Sequence, residues 1–459
     1  MSTDPSVVAT ARSGVASAAV LSTVSIGVQG ATKLLATVVI GRVFGTEALG
    51  QSSALLSLGV FAALLWPTAA GNTASRSLAI AMRTGRSDTA VNRLLGASML
   101  VSSLVLAAVT VPVALAWGNG PGTVVGGVAV VVGYGLYCYA RGAQLGYDRP
   151  RRVATWDGLT SLLTLGLLVL AGVARAEPFV LLPLGIGYAV FAVACWPRGT
   201  AVSAGGAVTR SEPTDGLLRF AAWNVLAGLT TNGLLQLSMI SAQVTATPHE
   251  AGVYAAAFSL ATPASMVGQA VAQVVVPGFA HRTEASSLRS PGTLRFVIGF
   301  GAVTAVLFGL VALLAGWYLP LFYPDEGVAA VADLRYLVLG VWVFTMSLVP
   351  AALLLAAGLS RQVALASVTG FVVGVVLMAA LAPATGVSAG STGFLVGSAV
   401  NLVAVVALGL RRTAVRTERG AWSALDGSAL DGAARGVVVP HPDEAREGRT
   451  ADRDDDHRE

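Results

Sequence analysis

Lysine occurs once in these 459 residues, at Lys33, and cysteine only twice, at Cys138 and Cys195. Both cysteines fall in apolar stretches, which excludes a disulfide framework and leaves them as small buried hydrophobes. The four histidines, His249, His281, His441 and His457, form no metal-ligand cluster. The chain has no Walker A loop, so it does not hydrolyse ATP. Charged residues make up only 12%, about half the usual share of a soluble domain. Asp and Glu avoid the middles of the apolar stretches: Asp157 and Asp215 read as lying at inner ends, Glu250 near an outer end. That argues against the intramembrane carboxylate on which cation-coupled exporters commonly rely. No loop is large enough to house a catalytic domain, so neither an enzyme nor a cofactor is expected.

What fills the chain instead is apolar: hydrophobic residues are 54% of the total. At about 20 residues per bilayer crossing this makes an all-α integral membrane protein with about twelve spans. The predicted segments are 15–41, 48–71, 92–117, 122–145, 154–174, 178–196, 216–242, 251–276, 293–318, 328–357, 362–382 and 387–410. The first thirteen residues are polar and the apolar run after them is too long for a cleavable signal. With the N-terminus placed inside, twenty arginines fall on inner segments and three (Arg42, Arg175 and Arg335) on outer ones. Positive charge stays cytoplasmic, so both termini are expected to be cytoplasmic. The arginines follow the loops and form no stripe, so the net charge of +5 gives no reason to expect nucleic acid. From residue 413 the chain mixes both charge signs with Gly, Ala and Pro and reads as a disordered cytoplasmic tail.

Two stretches echo each other. "GQSSALLSL" (50–58) aligns with "GVYAAAFSL" (252–260), pairing Gly50 with Gly252, Ala54 with Ala256 and Ser57 with Ser259. "LGYDR" (145–149) pairs with "AGLSR" (357–361) in the same way. Six spans per half is an even number, so the halves share one orientation. The expected plan is two six-helix bundles, 1–212 and 213–412, related by a parallel pseudo-repeat with a substrate path between them.

Three spans carry polar stripes. In the first, Ser22, Ser25, Gln29 and Lys33 are spaced 3, 4 and 4, which confines them to an arc of about 80°. Lys33 lies nine residues before Arg42, about 13 Å along a helix, farther than its side chain reaches by snorkelling. An ammonium at that depth costs about 3 kcal/mol on insertion scales and is expected to face a cavity. The eighth span carries Thr262, Ser265, Gln269 and Gln273, the seventh Asn224, Asn232, Gln236 and Gln243. Amides cannot face lipid unsatisfied, so these stripes point inward. Interhelical hydrogen bonding and substrate contact account for them equally well. The cavity expected from the three stripes is cationic and suits an anionic substrate.

The segment "KLLATVVIGRVFGTEALGQSSALLSL" (33–58) resembles the polysaccharide and lipid-linked oligosaccharide flippases of the MOP superfamily, which also contains the MATE exporters. The resemblance rests on Lys33 in the first span, "GRVFG" (41–45), Glu47 and Gly50. "HEAGVYAAAFSLA" (249–261) and "YARGAQLGYDRPRRVA" (139–154) resemble the family's other signature segments. Many relatives carry an Asp-Arg pair where this chain has Ser238-Met239, so coupling that depends on that pair is not expected here. The resemblance implies a plasma-membrane transporter that turns a polyprenyl-pyrophosphate-linked glycan across the bilayer by alternating access. Glycosyltransferases or a polymerase of the same pathway are the implied partners. Substrate contacts are expected from Lys33, Gln29, Ser25, Asn232, Gln236, Gln269 and Gln273. A MATE-like multidrug exporter and a non-transporting scaffold for glycan-synthesis enzymes are the alternatives.

Overall fold

In the computed structural model, residues 5–198, 214–280, 290–356 and 359–411 are described, so the tail from 413 lies outside them. The described residues are helical almost throughout, as lipid demands of a chain whose backbone polar groups must pair within each segment. Eleven helices among them are long and apolar enough to cross a membrane. The chain is a multi-pass membrane protein. The remaining predicted segment, 251–276, lies in α10 (Pro248–Ala280), whose side chains are described as far as Ser265.

The first half runs α1 (Pro5–Phe44), α2 (Thr46–Leu65), α3 (Pro67–Thr84), α4 (Thr89–Ala116), α5 (Pro121–Gly146), α6 (Pro150–Val173) and α7 (Leu182–Cys195). Helix α5 is its hub, packed against α2, α3, α4 and α7, while α1 lies along α6. The second half runs α8 (Leu217–Gly228), a π-helical turn (Leu229–Gly233), α9 (Leu234–Thr245), α10, α11 (Pro291–Phe322), α12 (Val331–Ala356), α13 (Ser360–Thr385) and α14 (Ser388–Arg411). Here α14 is the hub, against α9, α12 and α13. Gly370 and Gly374 of α13 interleave with Gly397 and Gly393 of α14, where any Cβ would strike the opposite backbone or a packed side chain. Small residues four apart are a common means of close helix approach in lipid. Leu104, Val306, Leu313 and Trp317, each more than 70% exposed, put α4 and α11 on the lipid face.

The predicted second span is corrected. It does not stop at 71: the helix breaks at Trp66, restarts with Pro67 at its first position, and continues as α3 to Thr84. Gly85 closes it in the left-handed conformation, φ 63°, a geometry in which glycine is unstrained.

The two halves meet along α2 with α9 and α10, and along α1 with α10. At the α1–α2 turn this seam is closed. Arg42 donates to the carbonyls of Phe322 (2.9 Å) and Leu321 at the end of α11. Thr46 donates to Glu326. Deeper in, Tyr323 donates to Thr37 at 3.2 Å and shares a 2.7 Å hydrogen bond with Ser259. The paired glycines of the sequence repeat meet here: a Cβ on Gly50 would lie 2.8 Å from the Gly252 nitrogen, and one on Gly252 would strike the Thr46 carbonyl. Both clashes involve backbone, which cannot rotate away. Gly252→Val is therefore expected to cost this closed arrangement about 1–3 kcal/mol. It should lower the unfolding midpoint of detergent-solubilised protein by more than Gly252→Ala does.

Candidate functional site

The cavity begins with the polar stripe of α1. Gln29 and Lys33 point between the halves, while Ser25, one turn earlier, is buried. Ser53 and Ser57 of α2 and Thr68, Asn72 and Ser75 of α3 form the second wall. Tyr134, Tyr137, Cys138 and Arg141 of α5 form the third. From the other half come Asn232, Gln236, Ser259, Thr262 and Ser265. Asn232 sits in the π-helical turn, a local widening of the helix that often marks functional sites. Together these residues enclose about 340 Å³, within the range of small-ligand sites.

Four of the seven predicted contact residues, Lys33, Gln29, Asn232 and Gln236, line this cavity. Gln269 and Gln273 follow Ser265 on α10, and their side chains lie outside the described residues. Ser25 is a correction: it is absent from the wall and donates its hydroxyl to Asp157 behind it.

Asp157 overturns the expectation that acidic residues keep to the ends of spans. It lies two turns inside α6 and is completely buried. Besides Ser25, its carboxylate accepts from the Gln29 amide at 3.1 Å and pairs with Arg141 at 3.6 Å. Gln29 also reaches Ser161 on α6 at 3.4 Å. A buried charge needs a partner and satisfied lone pairs, and this carboxylate draws them from α1 and α5. It thereby fixes the orientation of two cavity-lining side chains, Gln29 and Arg141, without lining the cavity itself. Among the described residues, the surface presented to a ligand carries Lys33 and Arg141 and no carboxylate.

Lys33 is seated on aromatic rings, its Nζ 4.2 Å from the centroid of Tyr134 and 5.9 Å from that of Tyr188. A cation over a ring face is attracted by the ring quadrupole. Tyr134, Tyr137, Tyr188 and Phe191 form one cluster between α5 and α7.

Reasoning from sequence missed Arg141, Asp157, the aromatic cluster and the α3 wall. For α3 a signal was present, since Thr68, Asn72 and Ser75 recur at the helical spacing of 4 and 3. Among the described residues no group of His, Cys, Asp and Glu is placed to hold a metal ion.

The described residues form a multi-pass helical protein with a polar cavity lined from both halves of the chain. Solved structures of similar fold include transporters of the MOP superfamily. An inward-facing multidrug resistance MATE family transporter aligns with TM-score 0.63 at 13% identity, covering 90% of this chain and 99% of that one. The lipid II flippase MurJ, in an inward closed conformation, aligns with TM-score 0.65 at 10% identity, covering 85% and 87%. A MOP superfamily transporter from Pyrococcus furiosus, whose reversed pocket polarity is said to suggest a different function, aligns with TM-score 0.54 at 13% identity, covering 87% and 96%. No protein-family model and no curated protein sequence matches the chain.

Proposed function

We propose that this protein is a transporter that moves an anionic, lipid-linked saccharide across the plasma membrane by alternating access. The observation that carries this reading is the sign of the cavity. Lys33 and Arg141 face it, while the nearby carboxylate is turned away and enclosed. Two cations and several amides suit a pyrophosphate with sugar hydroxyls beside it. A fold shared with MurJ and with MATE transporters supports the carrier role. The arginine bias supports twelve spans with both termini cytoplasmic. On that orientation the seam closed by Arg42, Thr46 and the Gly50–Gly252 contact faces outward, and the two six-helix bundles rock about it.

A cation exporter is the second reading, favoured by the buried Asp157 and by the likeness to MATE folds. Its weakness is that Asp157 has no exposure to the cavity and is held by Ser25, Gln29 and Arg141. Reconstitution separates the two. Proteoliposomes loaded with a fluorescent polyprenyl-pyrophosphate saccharide are expected to show protein-dependent loss of quencher-protected signal. Cationic dyes should show no protein-dependent movement. Dye movement without saccharide movement would reverse the assignment.

A further inference from the structure

The ring of Tyr134 is more precisely set than a filler residue needs. It stacks on Tyr137 at 5.8 Å with 17° between planes and meets Tyr188 edge-on at 5.1 Å. Tyr137 is fixed in turn by Phe191 at 4.7 Å. Tyr137 and Tyr188 are buried, while Tyr134 lines the cavity and remains partly exposed. The group resting on Tyr134 is the Lys33 ammonium. An aromatic face carries negative charge density, so it attracts the polarised C–H face of a pyranose as well as a cation. The two ligands of that ring therefore compete for one surface.

We propose that Tyr134 is a saccharide-stacking subsite that Lys33 covers in the empty cavity, and that an anionic group uncovers it by drawing Lys33 away. The inference rests on the anionic-saccharide reading and adds an order of events. The phosphate is engaged first, and the sugar then takes the vacated ring. A free sugar must displace the ammonium itself, so it binds poorly, which keeps the carrier from being filled by saccharides that lack the phosphate. Lys33 is long and unbranched, and moving from ring to phosphate needs only rotamer changes.

The single lysine makes the test direct. Full-length protein grown with carbon-13 lysine and held in nanodiscs gives one lysine side-chain set, which ring currents shift upfield while Lys33 lies over Tyr134. Inorganic pyrophosphate is expected to move that set downfield. Glucose 1-phosphate should bind roughly five-fold tighter than inorganic phosphate, the size of a modest ring-stacking contact. Tyr134→Leu should erase that advantage and raise phosphate affinity slightly, because Lys33 then gives up no ring contact on reaching the phosphate. Tyr134→Phe, which preserves the ring and the packing, should retain the advantage. Pyrophosphate binding with an unmoved lysine signal, or a sugar advantage that survives in Tyr134→Leu, would overturn this inference and leave the anion-transport reading intact. Absence of any anion binding would overturn both.

Discussion

Lys33→Ala is expected to reduce saccharide movement in proteoliposomes by at least ten-fold while leaving insertion and folding unchanged. A hydrogen bond to a charged group contributes about 1.5–3 kcal/mol, or roughly 10- to 150-fold when converted at 1.4 kcal/mol per decade. The site strengthens the expectation, because Lys33 lies in a wall of low dielectric and water screens it less than at a surface. Stability should hold. The ammonium has no carboxylate partner within ion-pair distance among the described residues, and its contact with Tyr134 is of the weaker cation–π kind. Removing the side chain leaves space that opens into an existing polar cavity, where water can enter. Lys33→Arg should retain a measurable fraction, since the charge survives while the planar guanidinium places its donors differently. Methionine, which fills the volume without charge, should behave like alanine. Full activity in Lys33→Ala would mean that this ammonium does not hold the substrate, whereas saccharide movement absent from the parent protein itself would point to the scaffold reading. Improved movement of cationic dyes in that variant would point to the cation exporter.

The parts of the site that were legible in the sequence share a physical cause. Lipid tolerates no unpaired amide, so the stripe of Gln29 and Lys33 on α1, the pair Asn232 and Gln236, and Thr262 with Ser265 all had to point inward, and they line the cavity. The spans were legible for the same reason, being long apolar runs with arginines between them. Asp157 was not legible. It stands seven residues after Pro150, where α6 begins, and an uncertainty of a few residues in a predicted boundary is enough to place it in water. Its partners on α1 are 128 and 132 positions away, a distance that no periodicity spans. Arg141 stands near the end of α5, among the twenty arginines that the sequence assigns to inner segments, but its side chain turns into the cavity toward Asp157. The tyrosine cluster needs α7 to bring Tyr188 against Tyr134, so half of it lies outside any single helix. The repeat was legible only as a weak echo, yet Gly50 and Gly252 proved to be in contact. Glycines in register with one another can pack together where two halves cross, and side chains in their place would hold the helices apart.

Asp157→Leu is expected to destabilise the protein by about 3–5 kcal/mol, the usual cost of breaking a buried pair by removing one partner. The loss has three components. Arg141 keeps its charge and loses the carboxylate 3.6 Å away. The Ser25 hydroxyl and the Gln29 amide lose the acceptor that holds α1 against α6. Thermal unfolding in detergent should show the drop as a lower midpoint. Asp157→Asn keeps the shape and one acceptor oxygen, so its cost should fall to about 1–3 kcal/mol. Adding Arg141→Met to Asp157→Leu should recover at least half of the loss, because apolar replacement of a whole buried pair is often neutral. The resulting double-mutant cycle isolates the coupling between the two. Transport reads out the second consequence. If Asp157 serves to orient Gln29 and Arg141, the Asn variant should move the saccharide at a reduced rate. If Asp157 instead exchanges a proton for a cationic substrate, the Asn variant should be inactive however well it folds. A stable Asp157→Leu protein, within about 1 kcal/mol of the parent, would mean that the carboxylate does not hold these helices, and the orientation of the cavity cations would then need another source.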